Sequence, residues 1–223
     1  CGVNLVDLTR KDVTRAFLST THEKYLSSLR DLVAEKIPYM FTDEPQLVDF
    51  AWSDDLPSRF TTEFGYDILD YLPELFSPST ERGEQALIDY KKLLGILFDE
   101  NFLTPCADWC HAHGMGLCGH LDQDNILEGS PAGQYGSGLR LLRRFDLPGV
   151  DVIWQQIFPG KPVDGFSFFP KLASSAARQS GSELSLSESF AVDGDGLTSD
   201  QMRYVINYQF LLGLNVGNCM TLP

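Results

Sequence analysis

Short apolar segments, each closed by polar or helix-breaking residues, recur along the chain and predict β-strands. They begin near residues 37, 115, 150, 184 and 214, and a further apolar run from Gly2 to Leu8 predicts a sixth strand. The last three intervals are about 30 to 35 residues, which is the length expected of a repeated strand–helix unit. Because a helical pattern lies in each interval, we expect the strands to be parallel in one sheet.

The predicted helices cover residues 9–33, 80–113, 138–145, 170–180 and 200–212. Thr9 is the expected N-cap of the first helix, and Thr198 or Ser199 that of the last. Pro105 is expected to kink or restart the longest helix, because proline lacks a backbone N–H. Residues 46–80 fit neither one strand nor one helix, and we interpret them as a long loop with short helices.

Eight strand–helix units of this kind close a (β/α)8 TIM barrel in about 250 residues. We therefore interpret residues 1–223 as one incomplete barrel of the α/β class, holding strands three to eight, with 46–80 inserted after strand four. A doubly wound open sheet is the alternative, but no glycine-rich phosphate-binding loop follows any predicted strand. The opening CGVNLVDLTR, without an initiator methionine, indicates that the chain is part of a longer protein.

Composition narrows the classes of partner. The chain is 43% hydrophobic and 22% charged, as in soluble globular proteins. Its formal net charge of -14 argues against nucleic acid and membrane partners and suits a neutral carbohydrate substrate. No apolar run approaches the roughly 20 residues of a membrane span. Five irregularly spaced cysteines argue against a disulfide framework, so we expect reduced thiols and a cytoplasmic location rather than secretion.

Two predicted strands end in carboxylates. The stretch IPYMFTDEP ends in Asp43 and Glu44 before a proline, and ELSLSESF carries Glu188 near its end. A charge inside an apolar strand is costly unless it is paired or used. The carboxyl ends of barrel strands hold the active site. Two such ends facing one pocket would supply the pair of acids that glycoside hydrolysis needs.

Other candidate substrate-binding residues lie at or near strand ends. His120 ends the strand that begins near 115, where it could bond a sugar hydroxyl or a carboxylate, and Asn218 ends the last strand. Trp154 follows the strand that begins near 150, and Trp52 lies in the 46–80 segment. Their rings offer apolar faces for the C–H groups of a sugar. For each of these side chains, ordinary packing is the alternative.

Seven motifs spread over nearly the whole chain carry a family resemblance. They are FTDEP at 41–45, WSDDLP at 52–57, FGYDILDYLPELF at 64–76, NF…P…DWC…HG at 101–114, GH at 119–120, DLPGVD at 146–151 and LSESF at 186–190. Together they resemble the bacterial α-L-rhamnosidases of glycoside hydrolase family 106, within the large clan of barrel glycosidases whose acids end strands four and seven. The resemblance implies that Glu44 protonates the leaving oxygen and that Glu188 is the second carboxylate.

The same resemblance leaves the stereochemistry open. Glu188 would activate water in an inverting enzyme or attack the sugar in a retaining one, with carboxyl separations of about 6.5–9.5 Å and about 5–5.5 Å respectively. Many retaining barrel enzymes carry asparagine before the strand-four acid, whereas Asp43 stands there in this chain. Asp43 therefore favours an inverting or metal-linked site, and its proximity would raise the pKa of Glu44.

The resemblance also implies calcium, which prefers oxygen ligands. Asp122, Gln123 and Asp124 form one acidic loop, and Asp193 and Asp195 belong to another. Neither loop has the spacing of a recognised calcium motif, so solvated turns are the favoured interpretation. A separate group of thiols and imidazoles comprises Cys106, Cys110, His111, His113, Cys118 and His120. Without a CxxC pair, packed thiols explain this group better than a structural zinc site or a catalytic cysteine.

Two further hypotheses compete with a catalytic barrel. A barrel that lacks its first units would leave strand edges open, so the chain could be a non-catalytic carbohydrate-binding or remnant barrel. A zinc-dependent enzyme that uses the cysteine–histidine group is the third hypothesis.

Overall fold

A computed structural model describes residues 6–29, 32–48, 50–125, 135–159, 167–194 and 196–220. Five strands lie in these ranges: β1 Tyr39–Thr42, β2 Gly116–Gly119, β3 Leu147–Val152, β4 Leu186–Ser189 and β5 Val216–Cys219. All neighbouring pairs are parallel, and the order in the sheet is the order in the chain. A doubly wound sheet reverses its strand order at one point, and this one does not. The chain therefore forms a five-stranded parallel half-barrel.

The structure describes only part of the segment Gly2–Leu8, which the sequence predicts to be a strand. Residues 1–5 lie outside the described ranges, and residues 6–8 are not in a strand. The numbering of the strands as three to eight therefore stays a prediction.

The helices that connect the strands are α1 Lys11–Thr20, α2 His22–Leu29, α3 Leu32–Lys36, α4 Leu56–Phe64, α5 Leu72–Phe76, α6 Glu81–Phe98, α7 Thr104–Ala112, α8 Gly138–Leu142, α9 Lys171–Gln179 and α10 Ser199–Leu211. A 3-10 turn spans Ile68–Tyr71, and a π-helical turn, Asp99–Leu103, joins α6 to α7. The short helices predicted within 46–80 are present as α4, the 3-10 turn and α5.

The first predicted helix differs from the observed structure at both its start and its middle. Arg10, not Thr9, occupies the N-cap position of α1, because the Thr9 amide and hydroxyl both donate to the Asp7 carboxylate, at 3.0 and 2.6 Å. The helix then ends at Thr20. The hydroxyls of Thr20 and Thr21 donate to carbonyls of the preceding turn, and such bonds compete with helix continuation.

The longest predicted helix is confirmed in outline. Thr80 caps α6 by accepting the Gly83 N–H at 2.9 Å. Pro105 lies in the first turn of α7, directly after the π-helical turn, so the proline restarts the helix where its missing N–H is tolerated.

Alternation along β3 separates the inside of the half-barrel from its helical layer. Val150 and Val152 belong to an apolar cluster with residues of α9 and α10, including Ala173 and Val205. Successive strand residues point to opposite faces, so Asp151 points to the inner face. A larger apolar cluster, which includes Phe60, Phe98 and Leu103, packs the helices from α4 to α8 against the first strands.

The two outer strands are less covered than the central ones. Every residue of β3 and β4 is buried, whereas Gly217, Asn218 and Cys219 of β5 are exposed. In a closed barrel such an edge is paired with a further strand. Among helices in the described ranges, none has the combined length and apolar character that crossing a membrane requires.

Candidate active site

The carboxyl ends of β1 to β4 bring four acids and one imidazole together. Asp43 and Glu44 follow β1 directly, His120 follows β2, Asp151 lies in β3 and Glu188 lies in β4. Sequence reasoning selected all of these except Asp151. The arrangement is the one expected at the mouth of a parallel barrel.

Strand register explains why these side chains meet. Asp151 is the partner of Glu188 across β3 and β4, and Glu188 is the partner of Asn218 across β4 and β5. Paired residues of parallel strands point to the same face of a sheet. The His120 N–H continues the β1–β2 ladder by donating to the Thr42 carbonyl at 3.3 Å, which sets His120 beside the residue after Thr42.

His120 is fully buried and joins two carboxylates. Its Nε2 lies 3.3 Å from Oε2 of Glu188 and 3.5 Å from Oδ1 of Asp43. Glu188 is buried, while the Asp43 side chain is 69% exposed, so the site opens to solvent on the Asp43 side. The Phe41 ring packs edge-on against the imidazole, with centroids 5.7 Å apart.

Glu44 faces the same imidazole. Ligand atoms of Glu44, His120 and Asp151 lie within 4.8 Å of one another, and Glu44 shares a side-chain hydrogen bond with Asp151. Burial raises the pKa of Glu44, and the negative charges of Asp122 and Asp43 add to the rise, against a smaller lowering by His120 and the Asp151 hydrogen bond. A raised pKa is what a general acid near neutral pH requires.

Asp151 is a buried acid of β3 whose pKa is strongly raised. Burial raises its pKa to about 8, and the neighbouring charges of Asp124, Glu188, Glu44 and Asp43 act in the same direction. Its backbone N–H donates to Oδ2 of Asp124 at 2.7 Å. Burial also raises the pKa of Asp124 well above the usual value. Since two carboxyls can hydrogen-bond each other only through a proton, the Glu44–Asp151 pair shares one.

Unusual backbone geometry is concentrated around this mouth. Glu44 has a φ of 41°, a left-handed conformation that is rare and costly for a residue other than glycine. The same is true of Gln123, Trp154, Gln155, Phe190 and Val192, which lie in the loops after β2, β3 and β4. Strain of this kind is often found at functional sites.

The remaining predicted substrate-binding residues lie on β5 and in the segments that follow β3 and β1. Asn218 is exposed on β5, beside Glu188. Trp154 is 64% exposed in the loop after β3, and its N–H donates to the Ala191 carbonyl in the loop after β4. Trp52 is exposed between β1 and α4, and no described contact joins it to the acids among the residues that the structure covers.

The two acidic loops are not the solvated turns that the sequence favoured. Oδ2 of Asp124 accepts the Asp151 N–H at 2.7 Å, and the charge of Asp122 adds to the raised pKa of Glu44. Asp193 is buried and accepts the Gln155 N–H at 2.7 Å, while Asp195 lies outside the described residues.

Three buried cysteines lie in α7 and β2, while Cys219 lies exposed at the end of β5. Cys106, Cys110 and Cys118 are buried, and burial raises the pKa of each thiol, to about 11 for Cys110 and to about 12 for the other two. Burial and a raised pKa disfavour the nucleophilic thiolate form, so these positions suit the packing role that the sequence favoured. The ring nitrogens of the two neighbouring histidines have partners other than the thiols. Nε2 of His111 lies 2.9 Å from the Asp146 carboxylate, and Nδ1 of His113 bonds to the Trp109 carbonyl of its own helix.

The acids offer a donor set for a divalent cation. Two groups of potential ligands occur in the described part of the chain, Asp43–His120–Glu188 and Glu44–His120–Asp151, and they share the imidazole. Within the same residues, the buried atoms Nδ1 of His120 and Oδ1 of Asp151 have no hydrogen-bond partner. The carboxylate oxygens of both groups are the ligands that calcium prefers, so they fit the ion that the family resemblance implies, while the shared imidazole offers a nitrogen instead.

Two known proteins are similar to this chain over most of its length. A Formosa agariphila protein, provisionally named beta-glucuronidase, is 26% identical over 173 residues, which is 74% of this chain and 13% of that protein. The structure of a rhamnosidase from Novosphingobium sp. PP1Y superposes with a TM-score of 0.74 at 18% identity, over 97% of this chain and 21% of that one. The chain thus spans about an eighth of one relative and about a fifth of the other, and the second likeness confirms the fold.

The family profile gives a wider match. The profile of glycoside hydrolase family 106, described as alpha-L-rhamnosidase, matches residues 2–218, which is nearly the whole chain. The match includes every strand end that carries an acid. The chain belongs to glycoside hydrolase family 106.

Proposed function

We propose that this chain is most of the catalytic barrel of a longer glycosidase that cleaves α-L-rhamnosides, with β1 to β5 as strands four to eight. The observation that carries the proposal is the convergence of Glu44 and Glu188 on His120, from two strand ends 144 residues apart in sequence. Two acids beside one imidazole, one of them with a raised pKa, fit the pair of carboxyl groups that glycoside hydrolysis uses.

The mechanism follows from the unequal surroundings of the two acids. Glu44 donates its proton to the glycosidic oxygen as the bond to the anomeric carbon breaks. Water then bonds to that carbon from the opposite face, and Glu188 takes the released proton, which gives inversion. His120 orients the Glu188 carboxylate through the 3.3 Å contact. Asp43 stands at the open side of the site, where it can accept a hydroxyl of the sugar.

Substrate contacts are proposed for the residues around the acids. Asn218 lies beside Glu188 and can bond a sugar hydroxyl, and Trp154 stands at the rim of the same mouth. Trp52, exposed between β1 and α4, is proposed as a further substrate contact. These contacts are predictions, as is the view that residues 46–80 are an insertion.

A calcium ion would be held by Asp43 and Glu188, with His120 and Asp151 beside them. When bound, it would offset the clustered negative charge and bind hydroxyls of the sugar. Glu188 would then contact the ion as well as act as the base, and Asp43 would help to position the sugar. Calcium can be tested by measuring activity after chelation and after its return.

The decisive experiment replaces each acid by its amide in the full-length parent protein. Glu44→Gln and Glu188→Gln should each lower kcat on an aryl α-L-rhamnoside by about 10²- to 10⁴-fold, the usual contribution of a general acid or base. Glu183→Gln is the matched control, since Glu183 is exposed at the start of the same segment, and it should stay within about twofold.

Two results would separate the alternatives. Unchanged rates in both acid variants would refute the two-carboxylate assignment. Rhamnose binding without turnover by the unaltered protein would instead indicate a non-catalytic, carbohydrate-binding barrel. An aryl β-D-glucuronide assayed in parallel tests the sugar, and proton NMR of the first product anomer tests inversion.

A further inference from the structure

The loops that follow β3 and β4 are fastened to each other at the mouth of the site. The Gln155 N–H donates to Oδ1 of Asp193 at 2.7 Å, and the Gln155 side-chain amide donates to the Asp193 carbonyl, also at 2.7 Å. The Trp154 N–H donates to the Ala191 carbonyl at 3.4 Å. Asp193 is buried, so its two bonds to one residue form a closed connection between the loops.

The turn that Asp193 holds has a conformation that rarely persists without support. Trp154 and Gln155 are consecutive and have φ values of 56° and 58°. Left-handed backbone is unfavourable for a residue with a side chain and persists where the surroundings fix it. On the other side of the turn, the Ile153 N–H donates to the Gln156 side chain at 3.1 Å. The backbone beneath Trp154 is therefore held from both sides while its ring is largely exposed.

The position of this ring relates it to the acids. Trp154 is three residues after Asp151, and the loop that holds it begins two residues after Glu188. Asp151 and Glu188 are register partners, so the fastened turn rises directly from the strand ends that carry them. A flat apolar ring beside an otherwise acidic mouth matches the apolar C–H face of a sugar.

We propose that Asp193 is a positioning residue that holds Trp154 as the wall on which the sugar ring of the substrate stacks. This inference rests on the proposed glycosidase function and deepens it. Asp193 itself does not touch the sugar; it acts through Gln155 on the backbone that carries the tryptophan.

The test is a double-mutant cycle in the full-length parent protein, with kcat and KM measured on an aryl α-L-rhamnoside. Trp154→Ala should raise KM about three- to tenfold, as expected for the loss of one aromatic contact, with little change in kcat. Asp193→Ala should raise KM nearly as much, and Asp193→Asn, which keeps an acceptor oxygen for Gln155, should restore most of the loss. The double variant should resemble Trp154→Ala alone, because both changes remove the same contact.

The control is Asp200→Ala, which removes an exposed aspartate from the first turn of α10 and should leave KM unchanged. An unchanged KM in Asp193→Ala or in Trp154→Ala would overturn the positioning role. Additive increases of KM in the double variant would overturn it as well. Neither result would bear on hydrolysis, which the Glu44 and Glu188 variants test separately.

Sugar binding separates the two proposals if the parent protein has no turnover. Rhamnose affinity measured by calorimetry then replaces KM, and a matching loss in Asp193→Ala and Trp154→Ala supports positioning although hydrolysis is refuted. Absence of both turnover and binding would overturn both.

Discussion

Two consecutive residues of the π-helical turn, Asp99 and Glu100, each pair with an arginine. Comparing the two pairs measures how much the burial of a carboxylate adds to the contribution of its ion pair to stability. Arg144 donates to both oxygens of Asp99, at 2.7 and 3.1 Å, and the Asp99 side chain is 2% exposed. Arg59 donates to both oxygens of Glu100, at 2.9 and 3.0 Å, but the Glu100 side chain is 47% exposed. We predict that Arg144→Ala is much more destabilising than Arg59→Ala.

The size of each stability loss depends on the partners that the carboxylate retains after its arginine is removed. Removing one partner of a buried ion pair typically costs about 3–5 kcal/mol, because a buried charge is left uncompensated. The Arg144 side chain is itself 51% exposed, and Asp99 would still have the Thr104 hydroxyl at 3.2 Å and the Arg140 guanidinium at 3.8 Å, so the cost should be lower than that. We therefore expect a loss of about 2–3 kcal/mol for Arg144→Ala, against about 0.2–1 kcal/mol for the exposed pair.

Urea unfolding followed by circular dichroism measures both losses, and thermal midpoints give an independent check. In a domain of this size, about 2–3 kcal/mol corresponds to a fall of about 4–12 °C in the midpoint. Since the π-helical turn joins α6 to α7, and α7 leads to β2 and His120, Arg144→Ala should also reduce activity near its lowered midpoint. Equal losses for the two variants, within about 0.5 kcal/mol, would refute the reasoning from burial.

Two other predictions concern the site. The free energy of unfolding should fall as the pH rises from about 4 to 8, because folded Asp151 keeps its proton up to a pKa of about 8 while the unfolded chain releases it near 4. The Asp151→Asn variant should show a smaller fall and should be more stable than the unaltered protein at pH 8. Urea midpoints that coincide for the two proteins from pH 4 to 9 would contradict this prediction. Gly119→Ala should cost about 3 kcal/mol or more, because φ is 128° and a Cβ would overlap the Thr42 carbonyl. Gly196→Ala, where a Cβ meets open space, is the control and should stay within about 0.5 kcal/mol in the same urea assay.

The strands were predictable because each is a short apolar run between breakers. β1, β2, β4 and β5 begin within two residues of their predicted starts. β3 begins three residues early, at Leu147, because Pro148 and Gly149 argue against a strand in sequence although the partner strands accommodate them here.

The grouping of the candidate residues was predictable where a polar side chain stood at the end of an apolar run. Glu44, His120 and Glu188 were selected in that way, and parallel strands bring such ends to one edge. Asp151 was missed although it lies inside the apolar run LPGVDVIW, where the same cost of burying a charge applies. The role of Asp124 could not be predicted, since its bond to the Asp151 N–H joins residues that are distant in sequence.

The pairing of Asp151 with Glu188 has a consequence for how the sheet is specified. Glu188 lies between Ser187 and Ser189, which are buried on the opposite face, where their hydroxyls bond each other at 2.8 Å and Ser189 bonds Gln209 of α10. A slip of β4 by one residue would exchange the faces, place a serine among the acids and bury the glutamate against the helices. An unpaired carboxylate there is far more costly than a serine. The residue proposed to activate water therefore also fixes the alignment of its own strand, and the sheet cannot misalign there without losing both its chemistry and its stability.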